Sequence, residues 1–302
     1  MEKNSAGALP QIDWGRTDHL IELALAEDLD VIGDATTLAV VPEEAECAAV
    51  LRCKEPGMVV AGLPVAERVF KLVDPRLEFR ALKAEGEHCE NGEAIAEIRG
   101  PARGILSGER TALNFIQRLC GIATVSARCA AIVAGTGAAV LDTRKTTPGF
   151  RNLEKYAVAV GGSTNHRIGL YDMVMIKDNH RELAALQAGS EAAGIRRAVA
   201  AARAMWPDLR VEVEADTLDE VREGIEAGAD VVMLDNMDDD TMSAAVKLNA
   251  GRVKLEASGG ITPERLRRVA ELGVDFISLG ALTHSVKSAD ISLDMQIGGD
   301  EK

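Results

Sequence analysis

Six basic side chains fall between Thr143 and Lys177, namely Arg144, Lys145, Arg151, Lys155, Arg167 and Lys177, against two acids, Glu154 and Asp172. The stretch carries about +4 in a chain whose formal net charge is −14. Duplex nucleic acid is bound through many Lys and Arg contacts to phosphate, so a chain this acidic is unsuited to it. An anionic ligand must therefore find a local basic pocket. Arg offers a planar fork that grips carboxylate or phosphate at two points, and Lys supplies a mobile point charge. Arg144, Lys145 and Lys177 follow short apolar runs and are read as pocket cations, whereas Arg151 and Lys155 are read as ordinary solvated helix charges. A lone His is more often structural, but His166 precedes Arg167 in GGSTNHRIGL, and its cationic neighbours make it a candidate.

Carboxylates and small residues close other apolar runs: Glu214, Asp235, Ser258-Gly259-Gly260 and Gly280. The SGG turn leads into ITPERL, with Pro263 near the first helical position, and SLGALTH at Ser278 to His284 repeats the pattern. Glycine turns that feed helix N-termini can receive a phosphate on backbone N–H groups. No Ser-His-Asp order and no HExxH pair occurs, which argues against a serine hydrolase and a zinc peptidase. Cys47, Cys53, Cys89, Cys120 and Cys129 are odd in number and form no CxxC, so reduced structural thiols are expected.

These side chains need elements to carry them. The runs AAVLDTRK, MVMIKDNH, RVEVEAD, VVMLDN, KLEASGG and FISLGA read as strands, and their end residues Asp142, Lys177, Glu214, Asp235, Ser258 and Gly280 lie 35, 37, 21, 23 and 22 positions apart. That leaves room for one crossover helix per strand, hence a parallel sheet. Six strands are clear and a seventh is conceivable, so an open, incomplete βα barrel is predicted, whose C-terminal strand ends converge on one mouth. A doubly wound sheet is the alternative, weakened by the lack of a GxGxxG turn. Upstream, Asp18 to Glu27 has helical spacing with Asp18 placed as N-cap. AECAAVLRCKEPGMVVAG and EHCENGEAIAEIRG read as strands flanking a helix, LPVAERVFKLVD. Ile105 to Val133 is predicted as one or two buried helices linking two domains, with Gly121 as a break. At 302 residues two domains are expected, and aromatics of only 3% imply an aliphatic core. No run of about 18 apolar residues appears, and MEKNSAGALPQIDW lacks the pattern of a signal peptide, so a cytoplasmic location is expected.

The run LDTRKTTPGFRNLEKYAVAVGGSTNHRIGLYDMVMIKDNH, Leu141 to His180, closely resembles quinolinate phosphoribosyltransferases. LALAEDL, GDATT, GERTALNFIQRLCGIAT, VEVEAD, VMLDN, EASGGI and ISLGALTHS extend the likeness over nearly the whole chain in the same order. The resemblance implies an N-terminal α/β sandwich over residues 1–122, which the tail 287–302 would join. It also implies an open barrel of about seven strands over residues 123–286 and a homodimer whose mouths are completed by the partner. Arg144, His166, Arg167 and Lys177 would surround the two quinolinate carboxylates, with Arg110 reaching in from the other subunit and Thr143 alongside. Lys145 would lie at the pyrophosphate and reacting centre. Glu214 and Asp235 would face the ribose hydroxyls and magnesium, and Ser258, Gly259, Gly260, Leu279 and Gly280 would hold the 5-phosphate of phosphoribosyl pyrophosphate. Lys145, Glu214 and Asp235 are the expected catalytic residues. The family's triple glycine before NHR reads Gly161-Gly162-Ser163-Thr164 here, and Cys120 stands where Ser is common; neither change removes a charge. A pyrophosphorylase for another aromatic acid is the nearest rival. A lipoyl-type carrier is disfavoured because no Lys lies between Glu85 and Arg103, and an acidic scaffold would leave the basic strand ends unexplained.

Overall fold

The computed structural model describes residues 9–186 and 194–296; the first eight residues of the opening segment and residues 297–302 of the tail lie outside them. The first part of the chain forms α1 (Trp14–Leu29), α2 (Ala35–Val40), β1 (Glu46–Cys53), β2 (Met58–Val59), α3 (Leu63–Val73), β3 (Glu78–Ala81), β4 (His88–Cys89), β5 (Ala94–Pro101) and α4 (Ala102–Val133). It continues as β6 (Ala139–Leu141), α5 (Arg151–Val160), β7 (Val174–Ile176), α6 (Asp178–Leu186), α7 (Gly194–Met205), β8 (Val211–Ala215), α8 (Leu218–Glu226), β9 (Val231–Asp235) and α9 (Asp239–Asn249). The last elements are β10 (Lys254–Ser258), α10 (Pro263–Glu271), β11 (Phe276–Ser278), α11 (Ala281–His284) and β12 (Ile291–Gln296).

The described residues divide into two compact units. One takes residues 9–127, 146–162 and 281–296, the other residues 128–145, 163–186 and 194–280. The predicted boundary at 122 thus stands beside one at 127, and α5 belongs with the N-terminal unit although it lies between two barrel strands in sequence. The N-terminal unit is built on an antiparallel sheet in the order β12-β1-β5-β3. The tail strand pairs there with β1, Leu293 opposite Leu51. Helix α3 turns Val65, Ala66, Val69 and Phe70, all without exposure, to one face, and the Phe70 ring lies 6.3 Å from Phe79 on β3. Burying one such aromatic contributes about 1.5–3 kcal/mol.

Three local expectations give way to the structure. Helix α1 is capped by Asp13, whose side chain accepts from Arg16 N at 3.2 Å, while Asp18 sits one turn inside and forks with Arg68 of α3 at 2.7 and 2.8 Å. Lys155 is 3% exposed, not solvated, and Arg151 donates to Thr146 Oγ1 at 2.9 Å. Gly121 does not break α4, a single helix of 32 residues. A Cβ there would lie 2.3 Å from the Lys287 carbonyl oxygen, so this glycine permits close backbone approach. By length and composition α4 could cross a bilayer, but it carries Arg110, Arg118 and Arg128, and 56% of its most apolar window is buried in the protein, as in a core helix.

The second unit is a six-stranded parallel sheet in the order β6-β11-β10-β9-β8-β7. Among the described residues β6 and β7 are not paired with each other, so the barrel is open, and a seventh position is a single parallel bridge from Thr164 to Leu141. Each predicted strand-end residue lies within two positions of an observed strand end. Helices begin promptly after them: Thr217 and Glu220 form a capping box on α8, Asp238 caps α9 through Thr241 N at 2.8 Å, and Pro263 opens α10. After β11 only the single turn α11 follows, so the second phosphate turn lacks a full helix behind it.

Gly121→Ala is expected to lower stability by about 1–3 kcal/mol through overpacking against residues 287–289, read as a lower urea midpoint with unchanged slope.

Candidate active site

A cavity of about 610 Å³ opens at the C-terminal strand ends of the barrel unit. The loop after β6 supplies Thr143, Arg144 and Lys145, and the segment before β7 supplies His166 and Arg167. Lys177 follows β7, Glu214 stands on β8, Asp235 on β9, and Ser258, Gly259 and Gly260 at the end of β10. The structure therefore gathers eleven of the fourteen sequence-predicted residues around one space. Arg110 is exposed on α4 in the other unit; Leu279 is buried, its N–H bonded to the Leu141 carbonyl at 2.9 Å; Gly280 is partly exposed.

Sequence reading missed Met175, Met233, Asn236, Glu256 and Ser278, which also line the cavity. Four of them sit two residues before a predicted strand-end residue, and strand side chains repeat every two residues on one face. Counting back by two from Lys177, Asp235, Ser258 and Gly280 finds Met175, Met233, Glu256 and Ser278, and from Glu214 it finds Glu212. The pairing register puts these side chains on one face of the sheet, with Met233 opposite both Glu214 and Glu256. The methionines give the cavity an apolar floor. Asn236 has a different signal: it adopts a left-handed φ of 51°, which Asn tolerates, in the turn after VMLD.

In the upper layer, Lys177 Nζ pairs with Glu214 Oε2, which joins the cation predicted for a ligand carboxylate to the acid predicted for ribose. Arg167 donates to the Met173 carbonyl at 3.0 Å, and its other terminal nitrogen approaches Met175 Sδ at 3.4 Å. Burial, then the neighbouring Arg144 charge, hold Arg167 below the ordinary arginine range. Lys145 is exposed, its N–H bonded to Thr143 Oγ1 at 3.0 Å. Asp235 accepts from Asn236 Nδ2 at 2.7 Å, and Asn236 N donates to the Ser258 carbonyl at 2.9 Å, tying the ends of β9 and β10 together. Gly259 has φ +88°, and a Cβ would lie 2.1 Å from Asn236 Oδ1, so only glycine fits.

Below lies a buried acidic layer. Glu212 and Glu256 have no exposure, and His166 Nε2 stands 3.2 Å from Glu212 Oε2 and 3.4 Å from Glu256 Oε2. Ser278 Oγ donates to Glu256 Oε1. The His166 backbone is held by Asp142, also without exposure, through its N–H at 2.8 Å. Burial disfavours charge on His166, and the carboxylates of Glu212 and Glu256 pull its pKa upward against it. Against that lift, Nδ1 accepts the Arg167 N–H at 2.7 Å, which occupies the lone pair a second proton would take. Burial first, and then Glu256, push Glu212 up to about 7, with His166 opposing.

This chain matches the model of the quinolinate phosphoribosyl transferase N-terminal domain over residues 34–120 and that of the C-terminal domain over residues 122–294. The chain belongs to the quinolinate phosphoribosyltransferase family. Within it, the chain is similar to a probable nicotinate-nucleotide pyrophosphorylase (carboxylating) of Bacillus subtilis, 46% identical over 268 residues, 89% of this chain and 90% of the relative. A chloroplastic nicotinate-nucleotide pyrophosphorylase (carboxylating) of Arabidopsis thaliana is 42% identical over 91% of this chain and 81% of its own. The solved nicotinate-nucleotide pyrophosphorylase of Francisella tularensis superposes with a TM-score of 0.88 at 37% identity, covering 96% of this chain and 99% of that one.

A carboxyl whose folded pKa exceeds its unfolded value near 4.5 binds its proton better in the native state, so stability is lost as pH rises from there through about 7. Wild-type protein is expected to lose on the order of 2 kcal/mol between pH 5 and pH 8 through this group, and Glu212→Gln to lose less, read from urea midpoints at each pH. Equal slopes in the two proteins would contradict the assignment of that proton to Glu212.

Proposed function

We propose that this protein transfers the phosphoribosyl group of phosphoribosyl pyrophosphate to quinolinate with decarboxylation, giving nicotinate mononucleotide, pyrophosphate and carbon dioxide, a step of NAD biosynthesis. The observation that carries the reading is the meeting, in one cavity, of four cations, an apolar methionine floor and two strand-end carboxylates. Arg144, Arg167 and Lys177 grip the two carboxylates of a flat aromatic ring resting on Met175 and Met233. Gly259 and Gly260, both with left-handed φ, let the backbone close on the 5-phosphate. Lys145 neutralises the departing pyrophosphate.

Glu214 and Asp235 offer hard oxygen donors of the kind magnesium takes, usually one or two carboxylates besides substrate phosphates and water. Magnesium bound there would neutralise charge on the leaving pyrophosphate. As the bond from ribose C1 to pyrophosphate oxygen breaks, the same carboxylates stabilise positive charge on the ribose ring, and the quinolinate nitrogen bonds to C1. The resulting pyridinium takes up the electron pair of the C2–carboxyl bond; carbon dioxide leaves, and C2 gains a proton. No covalent enzyme intermediate is needed, so the protein's contribution is position and field. Acceptor binding requires Lys177 to leave Glu214, which frees that carboxylate for the ribose.

The enzyme acts as a homodimer in which Arg110, exposed on α4, completes the acceptor site of the other subunit. A cytoplasmic location suits its five free cysteines, four of them buried.

Arg167→Ala and Lys177→Ala are each expected to raise the quinolinate KM by about 10–100-fold, the loss of a charge-assisted grip, while the phosphoribosyl pyrophosphate KM moves less than about threefold. Equal losses for both substrates would favour a pyrophosphorylase with another acceptor.

A further inference from the structure

We propose that Glu212 and Glu256 are positioning residues for the acceptor acid, acting through His166, which they hold as the Nε2–H tautomer so that its Nδ1 anchors the backbone of Arg167. The proposal rests on the assignment of the cavity to an aromatic dicarboxylate. Both ring nitrogens of His166 face protein groups: Nε2 lies 3.2 and 3.4 Å from carboxylate oxygens of Glu212 and Glu256, and Nδ1 accepts the Arg167 N–H at 2.7 Å. The ring is 4% exposed. Its contribution to ligand binding is therefore exerted through what it holds. The next residue is Arg167, whose guanidinium is steered by the Met173 carbonyl and Met175. A shift of the imidazole is passed along one peptide to the fork that grips the ligand.

The chemistry of the two glutamates makes the idea decidable, because position and charge act in opposite directions. Two buried carboxylates below an anion site repel a dianionic ligand, so removing one charge by itself would tighten acceptor binding. Removing a carboxylate that faces His166 loosens the imidazole and with it Arg167. If positioning dominates, the amide variants bind the acceptor more weakly despite the lost repulsion. Ser278, which donates to the far oxygen of Glu256, fixes that carboxylate's rotation and leaves Oε2 for His166.

The experiment has two arms on the full-length protein. Long-range ¹H–¹⁵N spectra, with the His166 signal assigned by its loss in His166→Ala, are expected to show a proton on Nε2 and none on Nδ1 at neutral pH. An imidazolium or an Nδ1–H tautomer would overturn the proposal. In steady-state kinetics Glu212→Gln and Glu256→Gln are expected to raise the acceptor KM about tenfold, with kcat and the phosphoribosyl pyrophosphate KM within about threefold. Added to His166→Ala, neither is expected to raise that KM further, because the glutamates act through the ring. A lower or unchanged acceptor KM, additivity with His166→Ala, or a joint rise of both KM values with a lower melting midpoint would each overturn it. Wild-type protein that makes no product from quinolinate overturns the functional reading and, with it, the acceptor role; the tautomer separately decides whether the glutamates hold His166.

Discussion

Two carboxylates without exposure, Glu212 and Glu256, face one imidazole inside the barrel, and the site above depends on that arrangement. Leaving either of two like charges unpaired in a dry interior costs several kcal/mol, so a proton or a cation must be shared among them. His166 supplies the shared group, and Asp142, just after β6, accepts its backbone N–H at 2.8 Å. The strand ends, the loop carrying Arg167 and the acidic interior are thus linked by short polar contacts, and the cations of the mouth stand on that frame.

The parallel strands give the site two levels. Side chains two apart on each strand share a face, so along each strand one stands nearer the mouth and the other one step deeper: Lys177 beyond Met175, Glu214 beyond Glu212, Asp235 beyond Met233 and Ser258 beyond Glu256. Alternation explains why VEVEA can be wholly buried while carrying two acids. Near the mouth Lys177 pairs with Glu214, and the glycine turn at Gly259 fits around the Asn236 side chain.

Much of this was legible in the sequence, for physical reasons. Strand-end spacings reflect the length of one crossover helix, so the barrel and its outer residues followed from apolar runs and what terminates them. The inner level was not read, because Met175 and Met233 look like ordinary core residues and Glu212 and Glu256 like strand anomalies until period two is counted back from the ends. Gly121 was misjudged because its surroundings come from a segment remote in sequence: a glycine in an apolar helix looks like a break until residues 287–289 lie against it. Asp18 has the chemistry of an N-cap, and only its fork to Arg68 shows that the helix begins a turn earlier. The placement of α5 with the N-terminal unit has no local signal, since hydrophobic periodicity does not say which core a helix joins.

The central claim is that the mouth grips both carboxylates of quinolinate and that the pyridinium formed there releases the one adjacent to the ring nitrogen. Quinolinate labelled with ¹³C in the 2-carboxylate, incubated with the protein, magnesium and phosphoribosyl pyrophosphate, tests it most directly. One labelled carbon dioxide is expected for each nicotinate mononucleotide formed, and no comparable product from nicotinate. Product from nicotinate at a similar rate, or nucleotide that retains the label, would contradict it.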